Sequence, residues 1–204
     1  EKRSRPPLRA LFQKKIQRML KDVLNSGISR TPAQISLGDA RKLALEDESA
    51  DAVITSPPYL NKIEYTQIYK LELSFFFGEP VAESKMRAFV GSDVKQPQSL
   101  DSLGLQLPNY ESMPPVAQAY FYDLGYALKE MHRVCRPGAN AVVVIGGGCF
   151  PDRVICTDVP TAELAEQIGF KVKKILVARE TWGTKHGTIK LGRMRESAIT
   201  LKKI

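Results

Sequence analysis

Residues 53–59 constrain the chain more than any other stretch. Val53, Ile54 and Thr55 favour an extended backbone and run directly into Ser56, Pro57, Pro58 and Tyr59, the pattern of a buried strand stopped at its carboxyl end. Two successive prolines fix φ twice and remove two backbone donors, so the carbonyls of Ser56 and Pro57 stay outside any continuing helix or ladder. A hydroxyl and a free carbonyl on one rigid turn, followed by an aromatic face, form a receptor for a flat group carrying an NH2. An exocyclic nucleobase amine is such a group. In open α/β sheets ligands sit just beyond the carboxyl ends of strands, which puts the chemistry of this chain at that turn.

The remaining sequence reads as alternating helices and strands. Residues 8–24 carry Leu8, Leu11, Phe12, Ile16, Met19, Leu20, Val23 and Leu24 at i, i+3, i+4 spacing, with Lys14, Lys15, Arg18 and Lys21 between them. This predicts an amphipathic helix within an N-terminal unit, 1–30, preceding a main domain, 31–204. A short strand over 35–40 ends at Gly38-Asp39, and 41–48 is a short helix or turn leading into the strand at 51–55. A helix is predicted over 61–77. Between 79 and 115 five prolines and two glycines leave no sustained period, so this insert is a candidate lid or base-recognition element, with Lys85, Arg87 and Lys95 available to phosphates.

A second helix over 116–134 places Phe121, Leu124, Leu128 and Met131 on one face and stops at Arg136-Pro137-Gly138. Residues 141–145 are then a continuous apolar strand closed by Gly146, Gly147 and Gly148, which permit close backbone approach to the site. Asp158 suits the cap of a helix over 159–168, with Gly169 ending it. Two last strands, 172–179 and 198–201, flank a loop at 180–195 bearing Trp182, Lys185, His186, Lys190 and Arg193. Trp182 reads either as an apolar plug beneath that loop or as a stacking platform for an extruded base.

At 204 residues the chain can bury a sizeable core. Its net charge of +8 is polarised: residues 1–21 hold eight Lys/Arg against one acid, 170–204 hold ten against two, and the middle holds twelve against nineteen. Such a basic surface suits a phosphate backbone, and equally a solvated exterior. Cys135, Cys149 and Cys156 lack metal-ligand spacing with His132 or His186, so a metal site is not expected and the thiols read as reduced, in a cytoplasmic protein. No apolar run reaches the length of a membrane span.

Ser56-Pro57-Pro58-Tyr59 resembles the catalytic motif of the S-adenosylmethionine-dependent amino-methyltransferases of nucleic-acid bases, in which Asp, Asn or Ser precedes Pro-Pro and then Tyr or Phe. A helix, then Arg133-Val134-x-x-Pro137-Gly138, then a β-branched strand is a second block in common. Over roughly residues 35–203 the resemblance implies an α/β, Rossmann-like methyltransferase fold, a mostly parallel sheet with a C-terminal β-hairpin. It implies S-adenosylmethionine as cofactor and DNA as partner, in a restriction-modification setting. Ser56, Pro57, Pro58 and Tyr59 take the catalytic positions. Asp39, Ala40 and Ser56 take cofactor-binding positions, although Asp39 suits a helix N-cap equally well. Trp182, Lys185, His186, Lys190 and Arg193 take nucleic-acid-binding positions. Ser at the first motif position goes mostly with cytosine N4, Asp or Asn mostly with adenine N6.

The family's first motif, a strand and a Gly-rich turn that hold the cofactor, has no counterpart in these residues. The N-terminal strands of the fold are therefore expected from upstream sequence or a second chain, unless the cofactor site is degenerate. Two other readings stand beside the first: an RNA-base amino-methyltransferase, and a non-catalytic nucleic-acid-binding subunit.

Overall fold

The computed structural model describes residues 7–27, 32–60, 69–78 and 99–204. The chain divides between Leu37 and Gly38 into two units. In the first, helix α1 (Leu8–Asn25) follows Pro7, whose fixed φ of −56° suits the residue preceding a helix, and Ser26 Oγ closes the other end on the Val23 carbonyl at 2.8 Å. The strand predicted over 35–40 does not form. Residues 32–38 have no regular structure, and Asp39 makes only an isolated bridge with Lys42. No neighbouring strand among the described residues pairs with the stretch, and an extended run without a ladder leaves its backbone groups to water.

The second unit is built on a four-stranded sheet in which β1 (Ala50–Thr55), β2 (Cys135–Gly146), β6 (Ile189–Lys203) and β5 (Phe170–Lys185) lie side by side in that order. Strand β1 (Ala50–Thr55) runs parallel to β2 (Cys135–Gly146), pairing Val53 with Ala141 and Thr55 with Val143. On β2, Ala141, Val143 and Ile145 alternate into the core, against Tyr120, Phe121, Leu124 and Leu128 of helix α3 (Pro115–Val134). Their burial follows the period of two in a strand and 3.6 in a helix. Between β1 and α3 lies helix α2 (Lys70–Phe77); the start of the helix predicted over 61–77 falls on 61–68, outside the described residues.

The C-terminal hairpin is present and longer than its sequence suggests. Strand β5 (Phe170–Lys185) pairs antiparallel with β6 (Ile189–Lys203), and β6 pairs antiparallel with β2. Residues 180–195, expected as a loop, are therefore mostly strand. The reversal is confined to a tight turn in which His186 (φ 53°) and Gly187 (φ 76°) occupy the left-handed region, the geometry that matches strand twist in a short hairpin. Gly183 and Gly192 face each other across the ladder. They do not break it, because the small ribbon β3 (Gly148–Cys149) and β4 (Val154–Ile155) uses the space: a Cβ at Gly183 would lie 2.5 Å from Val154 Cγ2. Helix α4 (Asp158–Ile168) ends at Gly169, φ 115°, as expected.

The insert also differs from expectation. Residues 79–98, with Lys85, Arg87 and Lys95, lie outside the described residues. Residues 99–115 contribute five side chains to the core: Leu100 and Leu103 from the 3-10 turn Leu100–Leu103, Leu105 and Leu107 from the stretch after it, and Tyr110 from the turn Tyr110–Ser112. They settle on α3 where it has no side chain: Leu103 and Leu105 each place a methyl 3.1 Å from a Cβ position at Gly125. Among the described residues no helix is long and apolar enough to cross a membrane.

Candidate active site

The turn at 56–59 leaves the sheet where β1 stops beside Val143. Ser56 is exposed at the strand end, Pro57, Pro58 and Tyr59 are half-buried, and Leu60 is fully buried beneath them. Burying one leucine contributes about 1.5–3 kcal/mol, so Leu60 anchors a turn whose own prolines make no backbone donation. The Leu60 side chain fits because residue 148 is glycine: a Cβ there would lie 2.8 Å from both Leu60 Cγ and the Leu60 carbonyl oxygen.

Tyr59 is fixed by a second glycine. Its ring lies over Gly146 at the end of β2, where a Cβ would come within 2.6 Å of Tyr59 Cδ2, 2.8 Å of Cε2 and 3.1 Å of Cγ. The phenol hydroxyl donates to Glu196 Oε1 at 2.9 Å, and Glu196 Oε2 accepts from Arg179 Nη2 at 2.5 Å. The glycine run at 146–148 thus provides the close approach expected of it.

On the other side of Ser56, Ala40, Leu43, residues 53–58, and Leu124, Ala127, Met131 and Val143 line a cleft of about 420 Å³. Two arginines hold its outer wall, residues 39–48, onto α3. Arg41 bridges Asp39 and Asp123, with Nη2–Oδ2 of 2.7 Å and Nη1–Oδ1 of 2.9 Å. Arg133 donates to the carbonyls of Leu43 and Leu45 and to the carboxylates of Asp47 and Glu130, while Glu130 accepts the Leu43 N–H at 2.7 Å. These bonds form turns rather than a helix over 41–48. The Asp39 carboxylate accepts the Arg41 side chain and its backbone N–H, which together hold its pKa down to about 2. Asp39 is therefore neither a helix cap nor one of the groups lining the cleft, whereas Ala40 and Ser56 both line it. At Asp123 burial outweighs the pull of Arg41 and raises the carboxyl pKa.

The cleft is a largely apolar slot with Ser56 at the end of its strand wall, of a size suited to a small molecule. No family model matches the chain. It is 27% identical over 180 aligned residues to the type II methyltransferase M.BsoBI of Geobacillus stearothermophilus, the match covering 68% of this chain and 35% of that protein. The type II methyltransferase M.AvaI of Nostoc is 28% identical over 159 residues, covering 65% of this chain and 33% of that protein. Its sequence is thus similar to those of type II methyltransferases. It spans about a third of the length of the curated relatives it matches. Among solved structures, a methyltransferase from Methanosarcina mazei is similar with a TM-score of 0.41 at 14% identity, covering 94% of this chain and 78% of that one.

The basic residues predicted on the final loop are carried by the hairpin. Trp182 is 47% exposed, so it is not a plug. Lys190 Nζ lies 4.6 Å from its ring centroid and Arg193 Cζ 5.4 Å away, both within cation–π range. Arg193 also pairs with Glu180 at 2.6 Å. Lys185 ends β5 and His186 sits in the turn. By register Trp182 opposes Arg193 and lies three residues beyond Arg179, which alternation along a strand turns onto the opposite face. The structure thus gathers Trp182, Lys190 and Arg193, but not on the face that carries Tyr59.

Sequence reasoning missed Glu196, Arg179 and the partners of Asp158. Asp158 is buried and does not cap α4 in the expected manner; Thr157 precedes the helix, and Asp158 accepts from Arg195 Nη2 and Ser197 Oγ, each at 2.8 Å. The usable signal was the strand period of β6, in which Arg195 and Ser197 fall on one face and Glu196 on the other.

Proposed function

We propose that this chain supplies the base-binding and adenine-binding side of a DNA methyltransferase, acting on an exocyclic amine, cytosine N4 in the first instance. The observation that carries the reading is the Ser56–Tyr59 turn, placed between an apolar cleft on one side and a fixed aromatic ring on the other. Ala40, Leu43 and Pro57 fit the flat face of an adenine. The described residues lining the cleft include no charged side chain.

When bound, the cofactor supplies an electrophilic methyl group on a sulfonium. An exocyclic amine is a weak nucleophile because its lone pair is delocalised into the ring. The Ser56 hydroxyl oxygen and the Pro57 carbonyl accept its two N–H bonds and favour a more tetrahedral nitrogen, whose lone pair then points at the methyl carbon. Tyr59 stacks on the base and sets that direction. Transfer to the nitrogen would break the sulfonium S–CH3 bond and leave a neutral thioether; the nitrogen then sheds one proton to water, and no strong protein base takes part. Lys190 and Arg193, stacked on Trp182, face DNA phosphates, together with Lys185 and His186 at the hairpin tip; contact with the target base belongs to Tyr59.

Ser56→Ala in the full protein tests the reading. Methyl transfer should fall tenfold or more, about 1.4 kcal/mol in the transition state, with DNA affinity held. Equal activity in mutant and parent removes Ser56 from the mechanism.

A further inference from the structure

Strand β6 presents alternate residues to two different jobs near the turn. Arg195 and Ser197 point to one face, where the buried Asp158 carboxylate takes a hydrogen bond from each. The Arg195 carbonyl also accepts the Gly147 N–H at 3.0 Å. This grip on residues i and i+2 fixes the height and rotation of the strand between them. Residue 196 must then project from the opposite face.

On that face the register sets Gly146 of β2, Glu196 of β6 and Arg179 of β5 side by side across three strands. The missing side chain at Gly146 leaves the space in which the Tyr59 ring lies; its hydroxyl reaches the next strand and donates to Glu196, whose other oxygen is held by Arg179 on the third. Arg179, Thr181, Met194 and Glu196 line the space beside Tyr59 and Gly146. The ring is seated rather than merely near.

We infer that Glu196 is a positioning residue for Tyr59: through the phenol hydrogen bond, with Arg179 as its counter-ion, it sets the plane in which the ring meets the target base. The inference rests on the methyl-transfer reading. In this role Glu196 acts on the chemistry through Tyr59. A carboxylate is used because both oxygens are occupied, one orienting the phenol and one tied to the sheet edge by Arg179. Charge at the acceptor is secondary to its presence.

The test is steady-state methyl transfer by the full protein and by Glu196→Ala, Glu196→Gln, Tyr59→Phe and the Tyr59→Phe/Glu196→Ala double variant, with Ser56→Ala alongside. Glu196→Ala should lower kcat by about tenfold while KM for DNA stays within about threefold. Glu196→Gln should restore most of the rate, because an amide oxygen still accepts the phenol proton. Tyr59→Phe, which deletes the same bond without touching the sheet, should match Glu196→Ala, and the double variant should be no slower than either. Parental kcat in Glu196→Ala or Tyr59→Phe, a Gln variant as slow as Ala, or losses that multiply in the double variant each overturn the inference while leaving methyl transfer intact. A parent that transfers no methyl group to DNA overturns the functional reading, and this inference with it.

Discussion

Replacing Gly146 by alanine puts the account of Tyr59 under direct strain. The new Cβ would stand 2.6 Å from Tyr59 Cδ2 and 3.1 Å from Cγ, and Cγ sits at the root of the ring, so no rotation of the ring about its own axis relieves the contact. Reaching an ordinary separation of about 3.4 Å requires the ring or β2 to move by roughly 0.8 Å. Overpacking of this kind costs about 1–3 kcal/mol, and a misplacement near 1 Å at a reacting centre can cost on the order of 10²-fold in rate. Gly146→Ala should therefore lose several degrees of Tm and one to two decades of kcat (order of magnitude), measured by thermal melting and transfer of radiolabelled methyl groups to DNA. Gly138→Ala is the control: φ is 81° there and nothing lies within 4 Å of a Cβ, so backbone strain of about 1–2 kcal/mol should reduce Tm without changing kcat. Parental kcat in folded Gly146→Ala would refute the idea that the ring's seat matters.

Other outcomes follow from the same structure. Tyr59→Ala should slow methylation of duplex DNA more than of a mismatched or single-stranded target, since stacking of about 1–3 kcal/mol per base counts most where extrusion must be offset; a uniform loss makes Tyr59 purely structural. Lys190→Ala and Arg193→Ala should each weaken DNA binding with little regard to sequence and each reduce the slope of log K against log salt by about 1, read by titration at several salt concentrations. Burial raises the Tyr110 pKa above its ordinary 10.0, and its hydroxyl donates to the Gln118 carbonyl at 2.8 Å. A raised folded pKa means stability that is whole below pH 10 and lost as pH climbs beyond it. Tyr110→Phe should flatten that alkaline loss in denaturant titrations, at a cost of about 1 kcal/mol at neutral pH.

Much of this arrangement is legible in the sequence because it follows from period and punctuation. The strand at 51–55 and its double-proline stop, the α3 face of Phe121, Leu124, Leu128 and Met131, and the glycine approach at 146–148 all stand where those rules put them. The expected burial of that strand does not: no residue of β1 is buried and Ile54 is 81% exposed, because β1 has a described neighbour on one side alone. The misses share a physical cause. Gly183, Gly187 and Gly192, amid dense charge, read as a loop, yet only Gly187 serves a turn, while a neighbouring ribbon packs on Gly183. Leu103, Leu105 and Leu107 alternate over only five residues and stop at Pro108, too short a run to stand out between prolines and glycines, and with Leu100 they fill the core from irregular backbone. Asp158 looks like a cap from its neighbours alone; its partners Arg195 and Ser197 are 37 and 39 residues away in sequence. The Glu196 contact with Tyr59 spans 137 residues, and only the strand register brings it about.

The most direct measurement is the identity of the methylated nucleoside. DNA is incubated with the full protein and S-adenosylmethionine carrying a deuterated methyl group, digested, and analysed by mass spectrometry beside the Ser56→Ala variant. Labelled N4-methylcytosine is expected from the parent and at most a tenth as much from the variant (about 1.4 kcal/mol). Labelled N6-methyladenine would keep the turn and change the base. Label on a ring carbon, or no label in any nucleoside, would contradict the claim that the Ser56–Tyr59 turn directs methyl transfer to an exocyclic amine.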